Sequence, residues 1–183
     1  NPPNRNPALQ KRISLGNKVL FTADNNPDKQ AGVQAFAAGD FSTAVTKFNA
    51  ALQVKRNDPE TWIYLNNASA AAISNTVKIG VSVPVGGNLN VAREMLRGVA
   101  QAQYEINHGG GIGGKLVQVQ VANDDNNPIV AKQIAAEFAN DPDILAVVGH
   151  NSSDASIAAA PIYQKSGLVM ISPTSVARNL GGV

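Results

Sequence analysis

The chain has 183 residues, of which 44% are hydrophobic and 15% charged, with a net charge of +2, so it is long enough for one full domain or a small domain joined to part of a larger one. Few aromatic residues and no long basic runs argue against a nucleic-acid partner. The absence of cysteine excludes disulfides and thiol nucleophiles, and no apolar run approaches the ~20 residues that span a membrane.

The first part of the chain, residues 1–29, is expected to be mostly irregular. It begins at Asn1 without a methionine, from which we expect that a leader or a longer N-terminus has been removed. It opens with NPPNRNP and closes with NNPDK, two stretches that are rich in proline and asparagine. Residues 12–21, between them, could form a short strand or helix.

Residues 30–75 predict a small helical module. Apolar residues recur at helical spacing from Val33 to Leu52, and Gly39-Asp40 divides them into a hairpin. Asp58 before Pro59 predicts the start of a third helix. The pattern resembles about one and a third tetratricopeptide repeats, and an undistinguished helical hairpin fits equally well. Either way, we expect the module to pack against a neighbour and to act as a docking or spacer element.

From Val77 onwards, strand and helix patterns alternate without interruption, which predicts a doubly wound α/β layer built on a parallel sheet. The helical module precedes this layer. The predicted strands are residues 77–83, 115–122, 144–148 and 168–171, and the predicted helices are 91–107, 129–140 and a third that starts at about Ser153 and includes 155–163.

Hydroxyl side chains follow the last two predicted strands. Ser152 and Ser153 come after the first of these strands, and Ser172, Thr174 and Ser175 after the second. Ligands of open α/β sheets bind beyond the carboxyl ends of the strands. A helix that starts near Ser153 would direct unpaired N–H groups at an anion such as a carboxylate. Alternatively, Ser152 or Ser153 is simply an N-cap worth ~1 kcal/mol, and both roles can hold together.

Two other motifs resemble ligand sites. The run from Gly109 to Lys115 has the spacing of two phosphate-binding motifs, but these require a strand before the glycines and a helix after them. Here the order is reversed, so we interpret the run as a helix C-cap and turn. Asp124 and Asp125 lack EF-hand spacing, and we interpret them as turn residues. Asp124, at a strand end, could also line the rim of the crevice.

His150 lies beside the serines and raises the alternative of a serine hydrolase. Neither serine lies in a G-x-S-x-G elbow, and no acid partner is evident in the sequence. We favour a histidine that hydrogen-bonds to loop backbone. Without a nucleophile–base pair, a metal cluster or a phosphate loop, the sequence predicts neither an enzyme nor a cofactor or metal.

Five segments carry a family resemblance over about 100 residues in register: VKIGVSVPVGG, YEINHGGGIGGKLVQVQVANDD, NNPIVAKQIAAEF, VVGHNSSDAS and PIYQKSGLVMISPTS. Together they closely resemble the N-terminal lobe of type I periplasmic solute-binding proteins of the branched-chain amino-acid (Leu/Ile/Val) group. That family folds as two lobes that close around the ligand. The resemblance implies an incomplete fold of this type over residues 76–183, with the second lobe absent. With the two segments described above, the expected division is 1–29, 30–75 and 76–183.

The resemblance also implies a binding site. The serine at the place of Ser153 would hold a ligand carboxylate by its N–H and hydroxyl, and the Thr174–Val176 loop would contribute a carbonyl and an N–H. Val176 falls where the family usually has a threonine, whose hydroxyl is therefore lost unless Ser175 replaces it. Val91 falls near an aromatic pocket position and would make a smaller wall. The full predicted ligand-binding set is Val91, Asn151, Ser152, Ser153, Thr174, Ser175 and Val176.

The implied function is capture of an amino acid or similar small polar solute in the periplasm for an ABC permease. The alternative is a ligand-sensing receptor domain that the helical module couples to a partner protein. Because the second lobe is absent, we expect this chain alone to bind its ligand weakly if at all.

Overall fold

The structure is a computed structural model that describes residues 6–180. Every helix and strand predicted from Val77 onwards is present, with ends that differ by three residues at most. Among the described residues, the α-helices and strands in chain order are α1 (Pro7–Gln10), β1 (Ile13–Ser14), α2 (Pro27–Ala37), α3 (Phe41–Val54), α4 (Pro59–Ile73), β2 (Thr76–Val83), α5 (Leu89–His108), β3 (Leu116–Asn123), α6 (Pro128–Ala139), β4 (Ile144–Val148), α7 (Ser153–Ser166) and β5 (Val169–Ile171).

The five strands form one sheet in the order β1-β3-β2-β4-β5. β2 pairs with β4 in parallel, with Gly80 opposite Val147, and β4 pairs in parallel with β5, with Val148 opposite Ile171. The strand order reverses direction at β2, which is the switch point of a doubly wound sheet. This confirms the predicted α/β fold, preceded by a helical module.

The chain divides into two compact units. Unit 1 holds the described residues up to Ile13, then Lys78–Val91, and those from Gln120 onwards. Unit 2 holds Ser14–Val77 and Ala92–Val119. The division into 1–29, 30–75 and 76–183 stays a prediction, because compact units record packing and not independent folding.

Unit 1 has a core in which α6 and α7 pack on one face of the sheet. The helices pack closely on the sheet because Gly80 of β2 has no side chain. A Cβ at this position would lie 2.8 Å from the ring of Phe138, so only glycine lets that ring contact the strand. The buried members of this core are Leu9, Ile13, Ala122, Ile134, Ala135, Phe138, Ile144, Val147, Ala159 and Tyr163.

Unit 2 contains the helical module, whose helices run from Pro27 of α2 to Ile73 of α4. Asp40 caps α3 by accepting from the Thr43 N–H, and Asp58 caps α4 by accepting from the Thr61 N–H. Phe48 of α3 is fully buried, and its ring centroid lies 5.9 Å from that of Tyr64 in α4. The helices are therefore confirmed, while their kinship with tetratricopeptide repeats stays a prediction.

The helical module packs against a neighbour inside unit 2, as expected. The Asn67 side chain, on α4, makes two hydrogen bonds with the backbone of Val119 in β3. Its Nδ2 donates to the Val119 carbonyl and its Oδ1 accepts from the Val119 N–H, both at 2.8 Å. Gln103 of α5 donates to Asn67 Oδ1 at 2.7 Å. The module thus docks within its own chain on elements that carry the family resemblance.

The expectation that the two Asn-Pro stretches are irregular is wrong for the described residues. Asn6 caps α1 by accepting from the Ala8 N–H at 3.0 Å, and Asn26 caps α2 by accepting from the Lys29 N–H at 2.9 Å. Asparagine is a favoured N-cap and proline is favoured at the first helical position, so an asparagine followed by proline starts a helix. Residues 1–5 of the first stretch lie outside the described part. The short strand β1 confirms a strand within residues 12–21.

Candidate functional site

The predicted site lies in unit 1 at the carboxyl ends of β4 and β5. Residues 149–152 connect β4 to α7, and residues 172–176 follow β5. Because β4 and β5 are parallel neighbours, both loops leave the sheet at the same edge.

Three hydroxyl groups of the second loop join it to the first loop and to the start of α7. Ser172 Oγ donates to the His150 carbonyl at 2.7 Å, and Thr174 Oγ1 donates to the Asn151 carbonyl at 2.8 Å. Ser175 Oγ donates to Ser153 Oγ at 3.2 Å. The structure therefore brings together four of the seven predicted residues, namely Asn151, Ser153, Thr174 and Ser175.

The start of α7 separates the two roles proposed for its serines. Ser152 is the N-cap, and its hydroxyl accepts from the Ala155 N–H at 3.2 Å. Within residues 6–180, the N–H groups of Ser153 and Asp154 have no acceptor. Capping therefore belongs to Ser152, and the free donors at the positive end of the helix begin at Ser153.

The remaining two predicted residues stand apart from this hydrogen-bonded group. Val176 is 89% exposed, and its N–H has no acceptor in the described part of the chain. Val91 is half-buried in the first turn of α5, which follows β2, and its N–H donates to Asn88 Oδ1 at 3.2 Å.

A buried polar network lies directly beneath the first loop. His150 Nδ1 is 2.6 Å from Asp124 Oδ2, and His150 Nε2 is 3.1 Å from the Tyr163 hydroxyl. Ser82 Oγ donates to the same Asp124 oxygen at 2.8 Å. All four side chains are almost fully buried.

This network corrects two expectations. The ring of His150 contacts side chains and not loop backbone, and Asp124 is fully buried and does not line the rim of the crevice. An acid partner for His150 exists, but the other ring nitrogen faces Tyr163 instead of a serine, so the geometry does not match a serine hydrolase. The sequence did show that Asp124 and His150 lie just beyond the ends of two predicted strands, but it did not show that these strands flank β2.

Two groups of the network, Asp124 and Tyr163, have shifted pKa values. Burial raises the pKa of Asp124, but hydrogen bonds from His150, the Asn126 N–H and Ser82 more than offset it, so this pKa lies below its usual value. Burial, with the Asp124 charge adding to it, raises the pKa of Tyr163 well above its usual range. Asp124 is therefore an anion that fixes the His150 ring, while Tyr163 stays neutral. The carbonyl of His150 in turn accepts from Ser156 and Ser172.

Gly149 allows the first loop to leave β4. Its φ is +127°, and a Cβ there would lie 2.6 Å from the carbonyl oxygen of Ser82 on β2. Only glycine tolerates both the conformation and the close approach.

The other two motifs are turns, as interpreted. After α5 ends at His108, Gly111 donates to the Ile106 carbonyl at 2.9 Å, and β3 begins at Leu116. Asp124 Oδ1 accepts from the Asn126 N–H at 2.8 Å, and Asn127 caps α6. In the described part of the chain, no cluster of three acidic or histidine side chains could hold a metal ion. Nor is any described helix both long and apolar enough to cross a bilayer.

A doubly wound sheet with free helix N–H groups and hydroxyls at the ends of its strands defines the class of open α/β ligand-binding lobes. The model of the family described as "Periplasmic binding protein" matches residues 76–182, more than half of the chain. The chain belongs to this family.

Curated relatives agree with this assignment. An "Amino acid binding protein" of Pseudomonas aeruginosa is 34% identical over 108 residues, which are 58% of this chain and 29% of that protein. The "Leu/Ile/Val-binding protein homolog 1" of Brucella abortus is 32% identical over 98 residues, 53% of this chain and 26% of that protein. The chain thus spans less than a third of the length of these relatives.

Solved structures give the same result. An ABC transporter substrate-binding protein from Desulfitobacterium hafniense, in complex with Leu, superposes with a TM-score of 0.53 at 36% identity, covering 57% of this chain and 30% of that one. The branched-chain amino acid substrate-binding protein LivJ from Streptococcus pneumoniae, in complex with isoleucine, has a TM-score of 0.54 at 30% identity, covering 57% and 30%. The resemblance to the branched-chain amino-acid group is confirmed. The comparisons give no support to the alternative of a receptor domain.

Proposed function

We propose that this chain is the first lobe of an extracytoplasmic solute-binding protein that captures an amino acid or a similar small polar solute for an ABC permease. The observation that carries the proposal is the pairing of two loops at the strand ends. There the hydroxyl of Ser153 lies 3.2 Å from that of Ser175, beside N–H groups that have no acceptor among the described residues. Solute capture requires such donors and no catalytic group, in keeping with a family of binding proteins.

The chemistry of these groups suits a carboxylate. The N–H groups of Ser153 and Asp154, with the Ser153 hydroxyl, would hold the carboxylate at the positive end of α7. The Thr174 hydroxyl is already bonded to Asn151, which leaves the Thr174 carbonyl to accept from a ligand ammonium group. Val91 would form part of an apolar wall. Because the solved relatives hold leucine and isoleucine, we propose an aliphatic L-amino acid as the ligand.

Location and partner follow from the same proposal. The family is described as periplasmic, and the structural relatives as components of ABC transporters. We therefore propose that the protein works outside the cytoplasm and delivers its solute to a permease.

A thermal-shift assay on the full-length gene product tests the proposal, because a ligand that binds only the folded state raises Tm. L-leucine, L-isoleucine and L-valine are expected to raise Tm. L-leucinamide, which has the same side chain but no carboxylate, is expected to have no effect.

The matched variants are Ser153→Ala and Ser166→Ala. The first removes one carboxylate donor and is expected to reduce the leucine shift, while the second, at the far end of α7, is expected to leave it unchanged. The proposal fails if no amino acid raises Tm, or if L-leucinamide acts as strongly as L-leucine.

A further inference from the structure

Unit 2 contains a pocket of about 370 Å³ that has no residue in common with the site described above. This volume is within the ~300–1,000 Å³ of small-molecule sites. It lies between the start of α4 and one face of α5, where positions 97, 100 and 104 follow the spacing of a single helix face. The residues that matter for its chemistry are Arg56, Asn57, Trp62, Arg97, Ala100 and Tyr104. We refer to it as the Trp62 pocket.

Two aromatic rings line the Trp62 pocket and are held in place before any ligand binds. Trp62 is 37% exposed, and its indole N–H donates to the Arg56 carbonyl at 2.9 Å. Tyr104 is 45% exposed, and its ring lies over that of His108 with centroids 3.7 Å apart. Large aromatic surface that is both exposed and fixed is what a planar apolar group needs for stacking.

One of the two arginines of the pocket carries a positive charge that is not neutralised within the described residues. Among residues 6–180, the Arg56 guanidinium has neither a hydrogen bond nor an ion pair. Arg97 donates from Nε and Nη2 to Glu94, at 3.2 and 3.1 Å, and its Nη1 reaches only the Asn57 carbonyl at 3.4 Å. No carboxylate lines the pocket. An arginine fork without a partner is the group that pairs best with a planar anion.

We propose that the Trp62 pocket is a second ligand site, and that it binds a small carboxylate that carries an apolar ring. The ring stacks on Trp62 and Tyr104, and the carboxylate pairs with Arg56. The site is independent of the proposed amino-acid site, because none of its residues belongs to the loops after β4 and β5.

The sequence contains a single tryptophan, Trp62, so the intrinsic tryptophan fluorescence of the 183-residue chain reports on this pocket alone. We expect phenylacetate to change that fluorescence in a saturable way. Phenylacetamide, which lacks the charge, and acetate, which lacks the ring, should each bind at least about tenfold more weakly. Calorimetry with the same three compounds gives the affinities independently of the fluorophore.

Substitutions locate the effect. Arg56→Gln is expected to weaken phenylacetate binding by on the order of tenfold, whereas Lys132→Gln, an exposed cation of α6 in unit 1, leaves it unchanged. Ser153→Ala should also leave it unchanged, which separates this site from the proposed amino-acid site. Circular dichroism confirms that each variant is folded. Equal binding of phenylacetate and phenylacetamide, no heat or fluorescence change with phenylacetate, or wild-type affinity in Arg56→Gln would overturn the proposal.

Discussion

His150 is the side chain that ties the candidate site to the sheet. Its ring joins the Asp124 carboxylate at the end of β3 to Tyr163 in α7, while its carbonyl accepts from Ser172 in the loop after β5. A buried anion keeps its charge only when hydrogen bonds compensate for lost water. The position of the first loop on the sheet therefore depends on the His150 ring, and the second loop bonds the backbone of the same residue.

We predict that His150→Ala lowers the free energy of unfolding by about 2–4 kcal/mol, because it leaves a cavity and removes the main partner of a buried carboxylate. Urea unfolding followed by circular dichroism measures the loss. The matched control is His108→Ala, since His108 is exposed and its contacts are a hydrogen bond to the Tyr104 carbonyl and a ring contact with Tyr104; it should cost about 1 kcal/mol or less. Equal losses in the two variants would show that the network does not stabilise the fold.

Sequence patterns predicted the role of a residue when its hydrogen-bonding partner is close along the chain. Ser152 was recognised as a potential cap because its acceptor role depends on Ala155, three residues away. The Asp124–His150 pair was missed because 26 residues separate its members. Only the strand order brings such partners together, and periodicity does not give strand order.

Among the elements, helix starts were predictable from an acidic or amide residue followed by proline. Asp58-Pro59 was predicted to start a helix. The same order of a capping residue and a proline starts three other helices, namely α1 at Asn6-Pro7, α2 at Asn26-Pro27 and α6 at Asn127-Pro128. Asparagine and proline content alone indicates irregular chain, which is why the prediction is wrong at the first two sites. Their order was the informative feature.

A buried ion cluster joins α2 to the start of α4. Lys29 Nζ lies 2.6 Å from Asp58 and 2.7 Å from Glu60, with all three side chains almost fully buried. Burial lowers the pKa of Lys29, but the charges of Glu60 and Asp58 more than offset it, so the Lys29 pKa lies above its usual value. Burial is the main cause of a raised pKa at Glu60. Glu60 also accepts from the Leu20 N–H at 2.7 Å, which ties down the preceding segment.

Replacing Lys29 by methionine should therefore be costly, because the change keeps the apolar stem and leaves two buried carboxylates without their cation. We predict a loss of about 3–5 kcal/mol in the free energy of unfolding. Lys47→Met is the matched control: its bridge to Asp28, at 3.2 Å, is largely exposed, and its loss should cost about 1 kcal/mol or less. Urea unfolding of both variants decides the matter, and a Lys29→Met protein as stable as Lys47→Met would refute the role of the cluster.

For the whole molecule, the alternation of strands and helices was enough to predict the doubly wound sheet. It was not enough to show which surface the helical module covers. Its attachment runs through Asn67, which bonds Val119 at a distance of 52 residues along the chain, and amide side chains in helices carry no periodic signal. The sequence did predict that so short a module needs a neighbour, and the structure supplies that neighbour from the same chain.

The candidate site was predicted from hydroxyl residues at two strand ends and from the family resemblance. The structure joins Asn151, Ser153, Thr174 and Ser175 by hydrogen bonds, while the ligand-binding roles of all seven predicted residues stay predictions. The Trp62 pocket was not foreseen, since its arginines and aromatic rings come from two helices whose packing is long-range.

The central claim is that a carboxylate is held by the start of α7 and the loop after β5. Amide-resolved NMR titration of the 183-residue chain with L-leucine tests this most directly. We predict shifts of the Ser153, Asp154 and Val176 amide signals that indicate millimolar or weaker binding, because one lobe buries only part of the ligand, and no such shifts with L-leucinamide. Unchanged signals at these amides up to the solubility limit of leucine, or equal shifts with L-leucinamide, would contradict the claim.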